Sequence, residues 1–491
     1  MLNIFLKGHD YRYEVGELVK IFTSNFRFED SDRTNVLINE VLTENRYIIS
    51  KASIYENNIL KFYSEEKSEI LLSDRENIKE LKRLIKKSIF EVLKRKYNTY
   101  APWGILTGVR PTKIVHELID NDLNENQIKD ILIKKYNISE SKADLLITVA
   151  IAERKFIYPV DGKKISLYIS IPFCPTRCLY CSFVSNDLKS SSKYTKDYID
   201  ALIKEIKGVS KIIEKSNKKI QTIYMGGGTP TSIDSSQLKI IIDEIYKNFD
   251  LSNLEEFTVE AGRPDTIDKQ KLKVLKDMDV TRISINPQTM NDKTLREIGR
   301  NHTTQDIINA FYMAKDVGFE NINMDIILGL PNETIQMVEN TLQSILRLSP
   351  ESLTVHTMAV KRASKLKENI QNYDLSHYNE VVNMIQLSQI YAEKMNLKPY
   401  YMYRQKHMVG NLENIGYAKQ GFECIYNIQI MEEKQTILAL GAGAVSKVVY
   451  LDENRIERIP NVKDIQSYIL RVDEMIKRKE GEVLKNAYKS S

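Results

Sequence analysis

Between Ile165 and Met358 the chain repeats one pattern six times: an apolar run of strand length, a stretch of helical periodicity, and a turn signal. The apolar runs are 165–173, 222–225, 257–260, 283–286, 323–328 and 353–358. Six such units in succession demand a parallel sheet, because parallel neighbours can be joined only by long crossovers, and those crossovers are right-handed. The expected fold is α/β, an incomplete parallel (β/α)6 barrel over residues 161–398. It is flanked by an N-terminal α+β accessory domain over 1–160 and a C-terminal capping region over 399–491. A chain of 491 residues exceeds one ordinary core, and 42% apolar residues suffice for two or three.

The flanks carry their own signals. Residues 1–65 alternate apolar and polar in short runs such as Asn35–Val41 and Arg46–Tyr55, which suit half-buried strands. From Ile78 the period changes: Leu81, Leu84, Ile85, Ile89, Val92 and Leu93 gather on one helical face, and Lys82, Lys86, Lys87 and Lys94 fall largely elsewhere, as on a solvated helix balanced by Glu80 and Glu91. Further helices are expected over 125–136, 140–156 and 463–479.

Composition excludes several classes. No stretch of about 18 uninterrupted apolar residues exists, and the opening Met1–Asp10 has neither the basic start nor the apolar core of a secretory signal, so no membrane span is expected and the expected location is the cytoplasm. The 71 basic and 66 acidic residues nearly cancel, to a net charge of +5, and no basic stripe interleaved with aromatics marks a nucleic-acid partner.

Three of the four cysteines, Cys174, Cys178 and Cys181, lie within one eight-residue run. Zinc would need a fourth ligand, and no further His or Cys stands within thirty residues on either side; a disulfide would leave one thiol over. Three thiolates suit a cubane iron–sulfur cluster, whose fourth iron is then open to a small molecule bearing an amine and a carboxylate. Cys174, Gly226, Glu260, Gln288 and Asp325 all fall near predicted strand C-termini, the rim on which barrels of this kind gather their chemistry. Gly226-Gly-Gly-Thr-Pro230 follows a strand, and its glycines let the backbone turn and approach a ligand closely. Cys424 stands alone and reads as a small buried hydrophobe; His356 on the sixth strand faces either the barrel interior or the helices.

The cysteine spacing, its setting in Tyr168-Ile-Ser-Ile-Pro-Phe-Cys174 and the Gly226 turn resemble the radical S-adenosylmethionine (radical SAM) superfamily, in its oxygen-independent coproporphyrinogen III dehydrogenase branch of the HemZ type. Leu106–Thr112, Tyr403–His407, Gly410–Asn414, Tyr426–Ile430 and Gly441–Ala444 extend the resemblance over most of the chain. The resemblance implies a [4Fe–4S] cluster on Cys174, Cys178 and Cys181, with SAM held by Tyr168, Tyr180, Gly227, Gly228, Thr229, Glu260, Gln288, Arg300, Asp325, Ala359 and Val445. Arg300 and Asp325 have a second reading, as partners of each other across the barrel.

The implied chemistry is reductive cleavage of SAM to a 5′-deoxyadenosyl radical, fed by an electron donor such as flavodoxin or ferredoxin. The implied substrate is coproporphyrinogen III, two of whose propionates become vinyl groups. A haem-binding chaperone and an anaerobic haem-modifying methyltransferase of the same superfamily are the alternatives. Acidic arms on a flat macrocycle call for basic forks between aromatic walls, which singles out Arg404, Lys406 and His407 in Tyr400–His407, with Lys361 and Arg362 next.

Overall fold

The computed structural model describes residues 1–29, 34–71, 73–108, 110–182, 186–359, 364, 366, 378–404 and 412–489. They form two compact units, 1–150 and 151–491. The division expected near residue 160 thus falls earlier, at Ala150/Ile151, inside the helix Glu140–Ile157.

In the first unit the period-two runs become a five-stranded sheet of β1 (Leu2–Lys7), β2 (Phe26–Phe28), β3 (Asn35–Glu44), β4 (Tyr47–Glu56) and β5 (Ile59–Glu69), in the order β2-β1-β3-β4-β5. The helix Asp74–Tyr97 packs Ile85, Ile89, Val92 and Leu93 of the predicted stripe, with Leu81 at its margin and Phe90 besides, into the core with this sheet. Its lysines are paired from outside the helix, Lys82 with Glu14 at 2.6 Å and Lys87 with Glu66 at 3.2 Å, while Glu80 turns to Arg83 at 2.6 Å.

The second unit holds β6 (Lys164–Ile171), the short pair β7 (Phe173–Cys174) and β8 (Asn186–Asp187), then β9 (Lys219–Gly227), β10 (Glu256–Gly262), β11 (Arg282–Gln288), β12 (Ile322–Leu328), β13 (Ser352–Thr357), β14 (Lys398–Arg404), β15 (Glu413–Ala418), β16 (Thr436–Leu440), β17 (Val445–Tyr450) and β18 (Arg455–Pro460). All but β7 and β8 form one sheet, ordered β14-β15-β13-β12-β11-β10-β9-β6-β16-β17-β18. The six runs read from the sequence are its parallel centre, β6 and β9 to β13. Crossover helices start on side-chain caps that satisfy first-turn N–H groups, as at Asp234, Asp268, Thr303 and Thr334. Residues 399–491, expected as a cap, instead extend the same sheet at both ends: β14 and β15 run antiparallel beyond β13, and β16 pairs parallel with β6.

Strand alternation divides the sheet into two unlike faces. Ile165, Leu167, Ile223, Met225, Phe257, Val259, Ile283 and Ile285 are fully buried, each worth roughly 1.5–3 kcal/mol. The alternate positions are polar and bonded across strands: Thr222 Oγ1 donates to Ser166 at 2.7 Å, Asn323 Nδ2 to Ser284 at 2.7 Å, and Thr354 Oγ1 to Asn323 at 3.2 Å. A closed barrel of this class fills its interior with branched apolar side chains. Here the interior is polar, and it opens into a cavity. Among the described residues no helix is long and apolar enough to cross a membrane.

Candidate active site

The cavity, about 560 Å³, lies where the central strands end. Its wall includes Cys174, Cys178 and Cys181 together with Tyr168, Tyr180, Gly227, Gly228, Thr229, Glu260, Gln288, Arg300, Asp325, Ala359 and Val445. One wall therefore gathers every residue expected to hold the cluster or SAM.

The cysteine loop is pinned to the turn that follows the short helix Asp292–Glu297. Leu179 N donates to Ile298 O at 3.0 Å, Thr176 Oγ1 to Gly299 O at 2.9 Å, and Cys181 N to Cys178 O at 3.2 Å, which folds the last two cysteines into one turn. Burial first, then the neighbouring thiols, push the Cys174 thiol up to about 11, with Thr229 and Arg263 acting the other way. Three thiolates drawn together in such a place need cationic charge beside them, which a metal cluster supplies. Arg263 and Arg300 approach Cys178, Arg263 Nη1 at 3.9 Å from its sulfur. Cys424 is elsewhere, fully buried and donating to Glu256 Oε1 at 3.2 Å.

The glycine turn, whose Gly227, Gly228 and Thr229 line the cavity, is also required by the chain itself. Gly227 has φ +108°, and a Cβ there would lie 2.8 Å from Ser170 Oγ; a Cβ on Gly228 would lie 2.5 Å from Phe173 O. Gly228 N donates to Ile171 O and Thr229 N to Phe173 O, both at 2.8 Å, so these N–H groups serve the chain itself. The glycines let β6 and β9 close on each other beneath the cysteine loop.

Arg300 and Asp325 do not pair. Arg300 donates to Asn286 O at 2.5 Å and to Tyr180 Oη at 3.2 Å, whereas Asp325 accepts from Asn323 at 2.6 Å and faces His356 Nε2 at 3.7 Å. Burial acts to raise the Asp325 pKa, but His356, Asn323 and Thr354 together hold it below the ordinary value. Glu260 goes the other way. Burial pushes it up to about 7, with Asp325 adding to the rise, while the Tyr224 hydroxyl, 2.6 Å away, and Arg282 restrain it. Gln288 sits at φ +68° after a register shift in β11, and among the described residues its Oε1 and Arg300 Nε have no protein partner. Buried orphans on a cavity wall suit a polar ligand.

Several lining residues carried no prior assignment. Tyr224 and Tyr426 stack with ring centroids 4.5 Å apart, and Tyr401 and Tyr403 at 6.4 Å. His356 reaches the cavity rather than the helices and meets Tyr403 Oη at 3.3 Å. Lys447 lines it too, donating to Glu433 at 2.8 Å. Strand parity was the available signal: Tyr224 lies opposite Tyr168, and Lys447 is two positions beyond Val445. Tyr426, on the short helix Ile425–Glu432, was marked only by the resemblance of Tyr426–Ile430 and by no strand parity.

Arg404 is a correction. It is 1% exposed and does not line the cavity; Tyr401 and Tyr403 of β14 do, which leaves Arg404 on the opposite phase, across from Glu413 of β15. Lys406, His407, Lys361 and Arg362 lie outside the described residues.

Comparison with known proteins agrees with this geometry. The family profile of the radical SAM superfamily matches residues 168–345. The chain is 39% identical over 427 residues to the oxygen-independent coproporphyrinogen-III oxidase-like protein HemZ of Bacillus subtilis, covering 85% of this chain and 84% of that protein. It is 34% identical over 280 residues to the heme chaperone HemW of the same organism, covering 57% of this chain and 70% of that one. Among solved structures, the coproporphyrinogen III oxidase HemN of Escherichia coli, a radical SAM enzyme, aligns with a TM-score of 0.53 at 22% identity over 67% of this chain and 73% of its own, a likeness of fold.

Proposed function

Because this chain belongs to the radical SAM superfamily, and within it to the oxygen-independent coproporphyrinogen-III oxidase-like proteins, we propose that it converts two propionates of coproporphyrinogen III to vinyl groups with loss of carbon dioxide. The observation that carries this reading is the convergence of Cys174, Cys178 and Cys181 with Glu260, Gln288, Arg300 and Asp325 on one cavity. In this reading the three thiolates hold a [4Fe–4S] cluster, and the surrounding polar groups hold SAM. When bound, the pair supplies one-electron chemistry able to take hydrogen from an unactivated carbon.

The chain's own residues bind, orient and exclude. Gln288 Oε1 and Arg300 Nε are an acceptor and a donor for the amine and carboxylate of an amino-acid ligand. Glu260 and Asp325 are acceptors for hydroxyls or cationic groups, Glu260 most strongly in its ionised form. The stacked Tyr224 and Tyr426, with Tyr401 and Tyr403, offer flat walls to a macrocycle and keep water from it. For acidic side arms the supporting groups are His356 and Lys447, cavity-lining and basic, rather than Arg404.

A second reading is favoured by the similarity to HemW: the same cavity receives haem and passes it on unchanged. One experiment separates the two. Anaerobically reconstituted protein is incubated with SAM, a reductant such as reduced flavodoxin, and either coproporphyrinogen III or haem, and the tetrapyrroles are separated by mass. Protoporphyrinogen with carbon dioxide supports the dehydrogenase. Haem bound in stoichiometric amount with coproporphyrinogen returned intact overturns it.

A further inference from the structure

Arg263 has no part in the assignments above, yet it is 3% exposed, lines the cavity, and commits its whole guanidinium. Nε and Nη2 form a fork on Asp265, at 2.9 and 2.6 Å. Nη1 donates to Thr176 Oγ1 at 2.8 Å and Thr176 O at 3.2 Å, and points at Cys178 Sγ from 3.9 Å. Thr176 lies midway between Cys174 and Cys178, so one side chain grips the turn of the cysteine loop and faces one of its sulfurs. Asp265 is braced in turn by His302 Nδ1 at 3.5 Å, and the His302 side chain is 1% exposed. A buried guanidinium is costly unless paired and fully bonded. Asp265 meets that requirement on one edge of the fork. The other edge is left for the loop.

We propose that Arg263, oriented by Asp265, is a positioning residue of the cysteine loop whose N–H and positive charge at Cys178 set the reduction potential of the metal centre held there; this rests on the cluster reading. Hydrogen bonds to cluster sulfurs and nearby positive charge both favour the more reduced, more negative state, and outer partners that orient such a donor carry much of its effect. Replacing Arg263 removes donor and charge together. Replacing Asp265 by Glu keeps both charges and loosens the aim of the guanidinium.

The test is an anaerobic redox titration, followed by electron paramagnetic resonance, of the reconstituted full chain and of Arg263→Gln, Arg263→Lys and Asp265→Glu, with iron and sulfide counted in each. At the parent's midpoint potential Arg263→Gln should show a reduced-to-oxidised ratio at least tenfold lower, a shift of 59 mV to more negative values for one electron. Asp265→Glu and Arg263→Lys should shift the same way by less, Glu keeping both charges while misdirecting the fork and Lys retaining charge without it. A fully loaded Arg263→Gln with the parent's potential overturns the proposal. If Arg263→Gln fails to assemble a cluster, Asp265→Glu decides: a potential shifted to more negative values supports the proposal and an unshifted one overturns it. A parent chain that assembles no iron–sulfur cluster sinks the cluster reading itself, a distinct outcome.

Discussion

Replacing Lys479 by Met should destabilise the second unit far more than its distance from the cavity suggests. Lys479 and Glu205 are both fully buried, with Nζ and Oε1 2.7 Å apart. Glu205 Oε2 also accepts from Gly441 N at 2.7 Å and Tyr468 Oη at 2.6 Å, and Asn461 Nδ2 reaches Oε1 at 3.0 Å. Met fills most of the lysine's space but leaves a dry carboxylate facing only neutral donors, a loss of about 3–5 kcal/mol. Glu205→Gln together with Lys479→Met removes both charges, and the pair should recover 1–3 kcal/mol of that, roughly the coupling expected of contacting residues. The carboxylate holds the turn that begins at Gly441, where φ is +96° and Ser170 O would lie 2.6 Å from a Cβ, and that turn delivers Ala444 and Val445 to the cavity. Native-state hydrogen exchange read by mass spectrometry is the suitable assay, since Trp103, the chain's one tryptophan, belongs to the first unit and its fluorescence reports there. Peptides covering 438–446 should lose protection by the stated amount in Lys479→Met. Protection within about 1 kcal/mol of the parent, or single effects that simply add in the double variant, would refute the reasoning.

Alanine at Cys174, Cys178 or Cys181 should abolish the cluster's visible charge-transfer absorption, whereas Cys424→Ala, which removes only a buried S–H donor to Glu256, should keep it. Because Glu260 titrates near 7 in the folded chain, binding of SAM through the ionised carboxylate should tighten as pH rises from about 6 to 8, with a proton released, and Glu260→Gln should flatten that dependence in calorimetry. The same raised pKa makes the folded chain bind the proton more firmly than the unfolded one, so this group's contribution to stability falls as pH rises from about 4.5 to 7. Lys447→Met should weaken tetrapyrrole binding about tenfold or more, from roughly 1.5–3 kcal/mol per charge-assisted hydrogen bond, and leave cleavage of SAM without tetrapyrrole unchanged, whereas His356→Leu should weaken both, because His356 also faces Asp325. Arg404→Met should instead lower stability by about 3–5 kcal/mol, as loss of a buried cation does, and tetrapyrrole affinity unaltered in the folded fraction would fit that role.

What could be read from the sequence was set by burial on both faces. The six central strands are covered by helices on one side, so each appears as a compact apolar run with polar residues at most inward positions, Ile327 being an exception, and the site residues fall at the ends of those runs. Thr436–Leu440 has the same character, yet its place beside β6 escaped notice because it follows a helix that is not a crossover from β13. Arg263 was invisible for another reason: its contact with Thr176 spans 87 residues, and nothing local marks an arginine after a strand as buried. The glycine turn was found for a reason only half right, since Gly227 and Gly228 are required by the closeness of Ser170 and Phe173 whether or not a ligand is near. Gly227→Val would therefore distort the cysteine loop, and lost SAM binding in that variant could not be ascribed to the ligand.

Arg404 sharpens the point. Tyr400-Tyr-Met-Tyr-Arg404 contains the residue types an acidic macrocycle requires, but a strand shows only every second side chain to one face. Pairing with β15, shifted in register between Pro399 and Tyr401, turns Tyr401 and Tyr403 to the cavity and Arg404 to the core. A slip of one residue would exchange them. Composition can thus nominate a segment for anion binding, whereas the choice of basic group depends on strand register, and here the cavity is faced by His356 of β13 and Lys447 of β17 rather than by Arg404.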